Sequence, residues 1–269
     1  MSERAVLSVP ATLIRFRGGG FAPVANRYSA WLAFIIVLAL WQGVCMRGWV
    51  SPLFLPSPLE IVRALEELVV SGEIWPHLYA SLIRIAGGWA VGTALGLAVG
   101  LAMGLFTVAR GVGIPMVSAL FPIPKIALLP LLILWLGIGE TSKIATIALG
   151  VFFPTVIAVY SGVDAVPRNL IRMAQSFEVP TLAIIGKVIL PGAVPSILAG
   201  FRISAATALL LVVSAEMIGA ETGIGAFVLQ AGNLMQTDRL LAGVLILSLL
   251  GLAVGRAISF LERRLLRWR

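Results

Sequence analysis

The sequence predicts an all-α, polytopic membrane protein with about six transmembrane helices. Three observations predict it: 59% of the 269 residues are hydrophobic, only 12% are charged, and the apolar residues fall in runs long enough to cross a bilayer. A soluble chain of this length needs more charge to cover its exterior, so lipid has to be the solvent for much of it. The formal charge of +8 does not point to nucleic acid, because the basic residues flank the apolar runs instead of sharing one soluble face. The single cysteine, Cys45, excludes an internal disulfide, and with one histidine, His77, no Cys/His metal site is expected.

Taken in order, a basic arm over residues 1–29, with Arg4, Arg15, Arg17 and Arg27, precedes the first apolar run. No cleavable signal is evident, so residues 30–46, closed by Arg47, read as an uncleaved first span. A Pro-rich stretch, 51–58, leads to an amphipathic segment over 59–70, which completes a 30–79 region. Leu59, Val62, Leu65 and Val69 recur there at helical spacing, predicting a surface helix at the membrane boundary.

The remaining spans make a core over 80–260. The second, about 82–108, carries Gly88, Gly92, Gly96, Gly100 and Gly104, one glycine every fourth residue. That spacing opens a groove in which another helix backbone can lie, either for plain packing within the subunit or for sliding between conformations. The third, about 114–136, contains Pro115, Pro122, Pro124 and Pro130, with Lys125 near its middle. Prolines free carbonyls that need protein or water partners at membrane depth, so this span should face the bundle interior or a wet cavity. A turn over 137–141 precedes the fourth span, about 144–160. After a polar island at 164–191 come the fifth span (194–218), a glycine-rich loop (219–238), the sixth span (240–260) and a basic tail, 261–269.

Six spans put both termini on one side, with a loop at Arg110 and the island. That side holds twelve Lys and Arg, and the other holds five: Arg47, Arg63, Arg84, Lys143 and Arg239. The positive-inside rule then puts both termini and the island in the cytoplasm. Arg84, near the outer end of its span, is expected to snorkel to the headgroups. Lys125, Arg202 and Glu216 lie at or within apolar runs, where charges are expensive. Such charges face a cavity, a partner or a pathway, which makes the three candidates for a translocation pathway. The structural alternative is a salt bridge or a cap on the carbonyls of a broken helix. Arg202 and Glu216 are fourteen positions apart on one span, too far to pair with each other.

The island reads DAVPRNLIRMAQSFEVPTLAIIGKVILP. Pro167 can open a helix at Arg168, Val179-Pro180 should end it, and Pro180 can open a second short helix that stops before Pro191. Leu170, Met173, Ala174 and Phe177 form one apolar stripe, which either docks a partner or packs on the protein's own underside.

This island resembles the EAA loop of membrane subunits of ABC importers that work with a substrate-binding protein. Arg172-Met173-Ala174 stands at E-A-A, Gln175, Ser176 and Phe177 follow, Glu178 stands at the loop's glycine, and Val188-Ile189-Leu190-Pro191 stands at I-x-L-P. LPSP (55–58), SLIRIAGGW (81–89), PKIALLPLLILWLGIGETSK (124–143), GFRI (200–203) and SAEMIGAETGIG (214–225) are similar to the nitrate/sulfonate/taurine branch of that family. The resemblance implies a type I importer permease of the bacterial inner membrane, moving a small, anionic solute such as a sulfonate or nitrate. It also implies ABC ATPase subunits that bind ATP and Mg, a substrate-binding protein, and a second permease copy, for which a homodimer is the simpler expectation. The island would be the coupling loop seated on the ATPase. This chain has no G-x-x-x-x-G-K-[ST] run, so no nucleotide or other cofactor is expected on it and it is not expected to be an enzyme. Arg172 and Glu178 depart from the loop pattern; a Glu in the left-handed turn that glycine favours costs about 1–2 kcal/mol, so either the turn differs or the strain is tolerated.

Two other classes compete. An ion-driven secondary transporter predicts an internal repeat with paired broken spans, and only one Pro-rich span is present. A membrane-embedded lipid-modifying enzyme predicts an intramembrane His/Asp constellation, whereas His77 follows Trp75-Pro76 in an outer loop, where it reads as a surface residue.

Overall fold

The structure, a computed structural model, describes residues 27–265; residues 1–26 of the basic arm and 266–269 of the tail lie outside the described residues. Every regular element among the described residues is helical. The chain divides into two compact units, one up to Val50 and one from Ser51 onward. The first contains α1 (Arg27–Met46), a helix of 20 residues whose apolar part is Ala30–Met46. At 1.5 Å per residue the apolar part reaches about 25 Å, a little less than the hydrocarbon layer.

The second unit opens with α2 (Pro58–Val70), started by a capping box in which Ser57 and Glu60 each bond the other's main-chain N–H. The stripe expected from the sequence is not the one that packs. Ile61, Ala64 and Leu68 are buried, while Leu59, Val62 and Val69 are exposed. The helix carries apolar residues on two faces, and spacing alone does not say which one meets protein.

Helix α3 (Ile74–Leu105) is 32 residues long and starts well before the expected position 82. A single extended residue, Phe106, joins it to α4 (Thr107–Leu120), so the expected loop at Arg110 is helix instead. After Phe121–Pro124 the chain makes one 3-10 turn (Lys125–Leu128) and α5 (Leu129–Leu136), at 87° to α4. The Pro-rich third span is therefore broken, as its prolines demand. Helix α6 (Glu140–Asp164) follows.

Helices α3 and α6 define the core. A Cβ added at Gly88, Gly92, Gly96, Gly100 or Gly104 would collide in turn with Ile147, Val151, Thr155, Val159 and Val163. Both series climb by four, so the helices run parallel and α6 lies in the glycine groove along its length. Lipid removes the hydrophobic drive between helices, and this close van der Waals seat is what holds them. Parallel neighbours require the chain to return between them, so the bent α4–α5 pair crosses the bundle once. Helix α9 (Leu190–Gly219) covers another face of α6, running antiparallel: Leu211 meets Gly150, Ala158 meets Gly200, and Ser196 meets Gly162.

The glycine-rich segment expected as a loop contains α10 (Ile224–Asn233), whose Ile224, Ala226, Phe227 and Ala231 are buried. Tertiary packing overrides its poor helix propensity. Helix α11 (Thr237–Leu265) ends the described chain. Among the described residues four helices are long and apolar enough to cross a membrane, five if the bent pair is one span, against about six expected; α1 is a shorter apolar helix.

Candidate coupling surface and buried charge cluster

The island folds as the proline punctuation predicts at its start. Pro167 precedes α7 (Arg168–Ser176), and the helix closes at Phe177. Val179 N–H bonds the Ala174 carbonyl at 3.1 Å and Glu178 N–H bonds Gln175 at 2.9 Å, the two bonds of a Schellman motif. Glu178 stands at its left-handed position with φ 56. The turn is thus the one glycine would favour, and Glu178 tolerates its strain.

The second short helix does not end before Pro191. A turn of α8 (Thr181–Ile184) passes through a π-helical stretch, Ile185–Ile189, straight into α9. The widened turn absorbs the carbonyl clash and missing donor that Pro191 brings, so the island's end and the fifth span form one continuous helix, Thr181–Gly219.

The apolar stripe of α7 divides between a packed side and an exposed one. Ala174 and Ile171 pack inward with Val163, Val166, Ile184 and Ile189. Leu170, Met173 and Phe177 point out, Phe177 at 76% exposure, and Leu182 of α8 extends that edge at 83%. Arg172, Gln175 and Ser176 are also exposed, while Leu190 and Pro191 are half-buried where α9 begins. Arg110 of α4 donates to both oxygens of Asp164, clasping the island's first residue to the neighbouring helix. The result is an apolar edge on a short helix whose other side packs in one cluster with the ends of α3, α6 and α9.

At the opposite end of α6, about 36 Å away at 1.5 Å per residue, lies a buried charge cluster. Arg84 does not snorkel: its side chain is 1% exposed. Its Nη1 donates to Glu216 at 2.8 Å and to the Thr222 carbonyl at 2.6 Å, and its Nε and Nη2 each donate to Glu140 at 2.6 Å. Glu216 also accepts from Ser81 Oγ at 2.7 Å and from Gly225 N–H at 2.9 Å. Ser81 Oγ in turn accepts from Ile224 N–H. These bonds tie α3, α6, α9 and the start of α10 together. Gly223, at φ 133, comes so close that a Cβ there would sit 2.6 Å from Arg84 Nη1. His77, read from sequence as a surface residue, is half-buried: its Nδ1 lies 3.0 Å from Gly223 O and its ring stacks edge-on with Phe227.

The three pathway candidates are each held by different partners. Glu216 belongs to the buried cluster. Lys125 donates to the carbonyls of Leu120 (2.7 Å), Phe121 (3.1 Å) and Ile123 (2.7 Å), and its Nζ lies 4.4 Å from the centre of the Phe153 ring. All three donors of its ammonium are used, capping the carbonyls released where α4 breaks. Arg202 is exposed and donates to Glu262 at 2.6 Å and Ser259 at 3.1 Å on α11. Sequence reasoning missed the Arg84–Glu216 pair. The signal was present: two opposite charges in different apolar runs each need a partner, and each could supply the other's.

Apolar helices of membrane-crossing length, with an exposed apolar edge at one end and a buried ionic cluster at the other, are the build of a membrane-embedded protein. Residues 92–267 match the family described as binding-protein-dependent transport system inner membrane component, and the chain belongs to it. It is 39% identical over 242 residues to the putative aliphatic sulfonates transport permease protein SsuC of Escherichia coli (strain K12), covering 90% of this chain and 92% of that one. The corresponding protein of Bacillus subtilis (strain 168) is 38% identical, with 87% and 85% covered. The taurine transport system permease protein TauC of Escherichia coli (strain K12) is also 38% identical, with 87% and 86% covered. An inward-facing structure of the MetNI methionine ABC transporter shares the fold, with a TM-score of 0.62 over 70% of this chain and 93% of that one, at 21% identity. This chain is therefore the permease subunit of an ATP-driven, binding-protein-dependent importer in the inner membrane, and ATP hydrolysis resides on separate subunits.

Proposed function

We propose that two copies of this chain form the translocation pathway for a small organic oxyanion, a sulfonate being the first choice, with residues 164–191 seated on the ATPase subunits. The carrying observation is the exposed set Leu170, Met173, Phe177 and Leu182 on a segment whose inner side packs with the ends of α3, α6 and α9. Apolar side chains presented on a short, anchored helix suit a groove in a partner. A push received there is transmitted to α6 and, without a break, along Thr181–Gly219. ATP and Mg bind on the partner subunits and bias one conformation through that joint.

Both termini and the loop lie in the cytoplasm in this reading. Arg84 and Lys143 are buried and drop out of the outer tally, leaving Arg47, Arg63 and Arg239 against the twelve basic residues of the other side. The sulfonate and taurine relatives support the choice of substrate. Residues 80–260 form the transport core, with 30–79 supplying the first span and an outer helix. Proteoliposomes holding the permease, its ATPase and its binding protein should accumulate a small alkanesulfonate only with ATP. Accumulation driven by an ion gradient without ATPase would instead favour a secondary transporter.

A further inference from the structure

Glu140 differs from its partners in the charge cluster. The side chains of Arg84 and Lys143 are 1% and 8% exposed, while Glu140, which both address, is 55% exposed. Arg84 divides its guanidinium. Nη1 is committed inward to Glu216 and the Thr222 carbonyl, and the Nε/Nη2 edge makes two 2.6 Å bonds to the two oxygens of Glu140. Lys143 Nζ stands 3.7 Å from Glu140 Oε1.

The Glu140 carboxylate therefore sits as a bidentate oxyanion on a guanidinium fork, with a second cation beside it and its open side toward the exterior. Planar forks of this kind take carboxylate, phosphate or sulfonate oxygens equally by geometry. Arg84 and Lys143 balance Glu216 and Glu140; with Glu140 withdrawn, one positive charge is left over. A buried cation without a counter-charge is costly, so a vacated fork calls for another anion. The approach to α6 is uncrowded: a Cβ at Gly137 or Gly139 would meet nothing within 4 Å, and Ile138 is 86% exposed.

We propose that Arg84 and Lys143 form a binding site for a small oxyanion, sulfonate or carboxylate, which Glu140 fills in this conformation and yields to the arriving anion. The inference rests on the anion-importer reading and deepens it. The site lies at the end opposite the coupling loop, where a solute delivered from outside first meets the bundle. A neutral or cationic solute cannot replace the carboxylate, which makes Glu140 a selector for anions.

The test uses the purified permease–ATPase complex in nanodiscs of phosphatidylethanolamine and phosphatidylglycerol. Methanesulfonate is titrated against chloride at constant ionic strength while the melting midpoint is followed. Removing the competitor in Glu140→Gln should shift the stabilising concentration of methanesulfonate down by about tenfold or more. The added Lys143→Met change should abolish that gain. A Glu140→Gln response equal to wild type, or one that survives Lys143→Met, overturns the site. Should Glu140→Gln not fold, Lys143→Met in the otherwise native complex should raise the sulfonate concentration giving half-maximal stimulation of ATP hydrolysis, with Lys143→Arg restoring it; no shift overturns the proposal equally. ATPase retention is scored in the same preparations, so an absent anion response with the ATPase bound counts against this site alone. Loss of the ATPase from wild-type complex counts against the coupling reading.

Discussion

Substituting Gly100 with alanine should unseat α6 from α3, while the same change at Gly87 should not. A Cβ on Gly100 would lie 2.6 Å from Val159 Cβ and 2.9 Å from the Val156 carbonyl oxygen, both close to the backbone of α6. Carbon pairs settle at about 3.5–4.0 Å, so α6 has to retreat by roughly 1 Å. At Gly87 the new Cβ meets Ile144 Cδ1 at 3.6 Å, an ordinary contact with a flexible tip. Both changes gain the same helix propensity, about 1 kcal/mol, which cancels in the comparison. Overpacking costs about 1–3 kcal/mol, and the upper end is expected because Gly92, Gly96 and Gly104 share the seat and loosen together. For a chain of this size the gap corresponds to roughly 2–12 °C in melting midpoint. Thermal unfolding of the two variants in identical nanodiscs measures it. A Gly100→Ala protein that melts with or above Gly87→Ala would refute the glycine-groove account of α3 and α6.

Two further outcomes follow from the same geometry. Glu178→Gly should stabilise the loop by about 1 kcal/mol, because the residue already sits at φ 56, where glycine is unstrained; a lower melting midpoint would mean the turn is not left-handed in the working protein. Arg84→Met should cost about 3–5 kcal/mol by leaving Glu216 buried without its counter-charge, whereas Arg202→Met, at an exposed pair with Glu262, should cost at most about 1 kcal/mol. Equal losses in a melting comparison would contradict the difference in burial.

The sequence carried much of this fold because membrane solvation leaves few options. Runs of apolar residues have to be helices, and Pro122 and Pro124 had to break the third of them. The island's start at Pro167 was equally legible, since proline imposes local geometry, whereas the left-handed turn at Glu178 was not, because a glutamate there does not announce it. What sequence could not resolve was which apolar face meets protein and which meets lipid. Both faces of α2 are apolar, and the stripe Leu59–Val62–Val69 is the exposed one. The same ambiguity hid the division of α7, where Ala174 faces in and Met173 faces out. Pro191 misled because a π-helical stretch, a tertiary accommodation, carries the helix past it. Arg84 misled because a snorkelling arginine and a buried one look alike until the acids opposite, Glu140 and Glu216, are brought to it by the packing of α6 and α9.

The central claim is that the outward edge of α7 is where the ATPase joins this chain. Capture of the ATPase subunit by Phe177→Asp and Met173→Asp permease tests it most directly, with Val70→Asp, at an equally exposed position on α2, as the control. A charge placed at an apolar anchor costs about 2 kcal/mol or more of binding, a loss of roughly thirtyfold. The account predicts that both α7 variants melt like wild type yet lose the ATPase and its stimulated hydrolysis, while Val70→Asp keeps both. Phe177→Asp permease that retains its ATPase at wild-type affinity would contradict it.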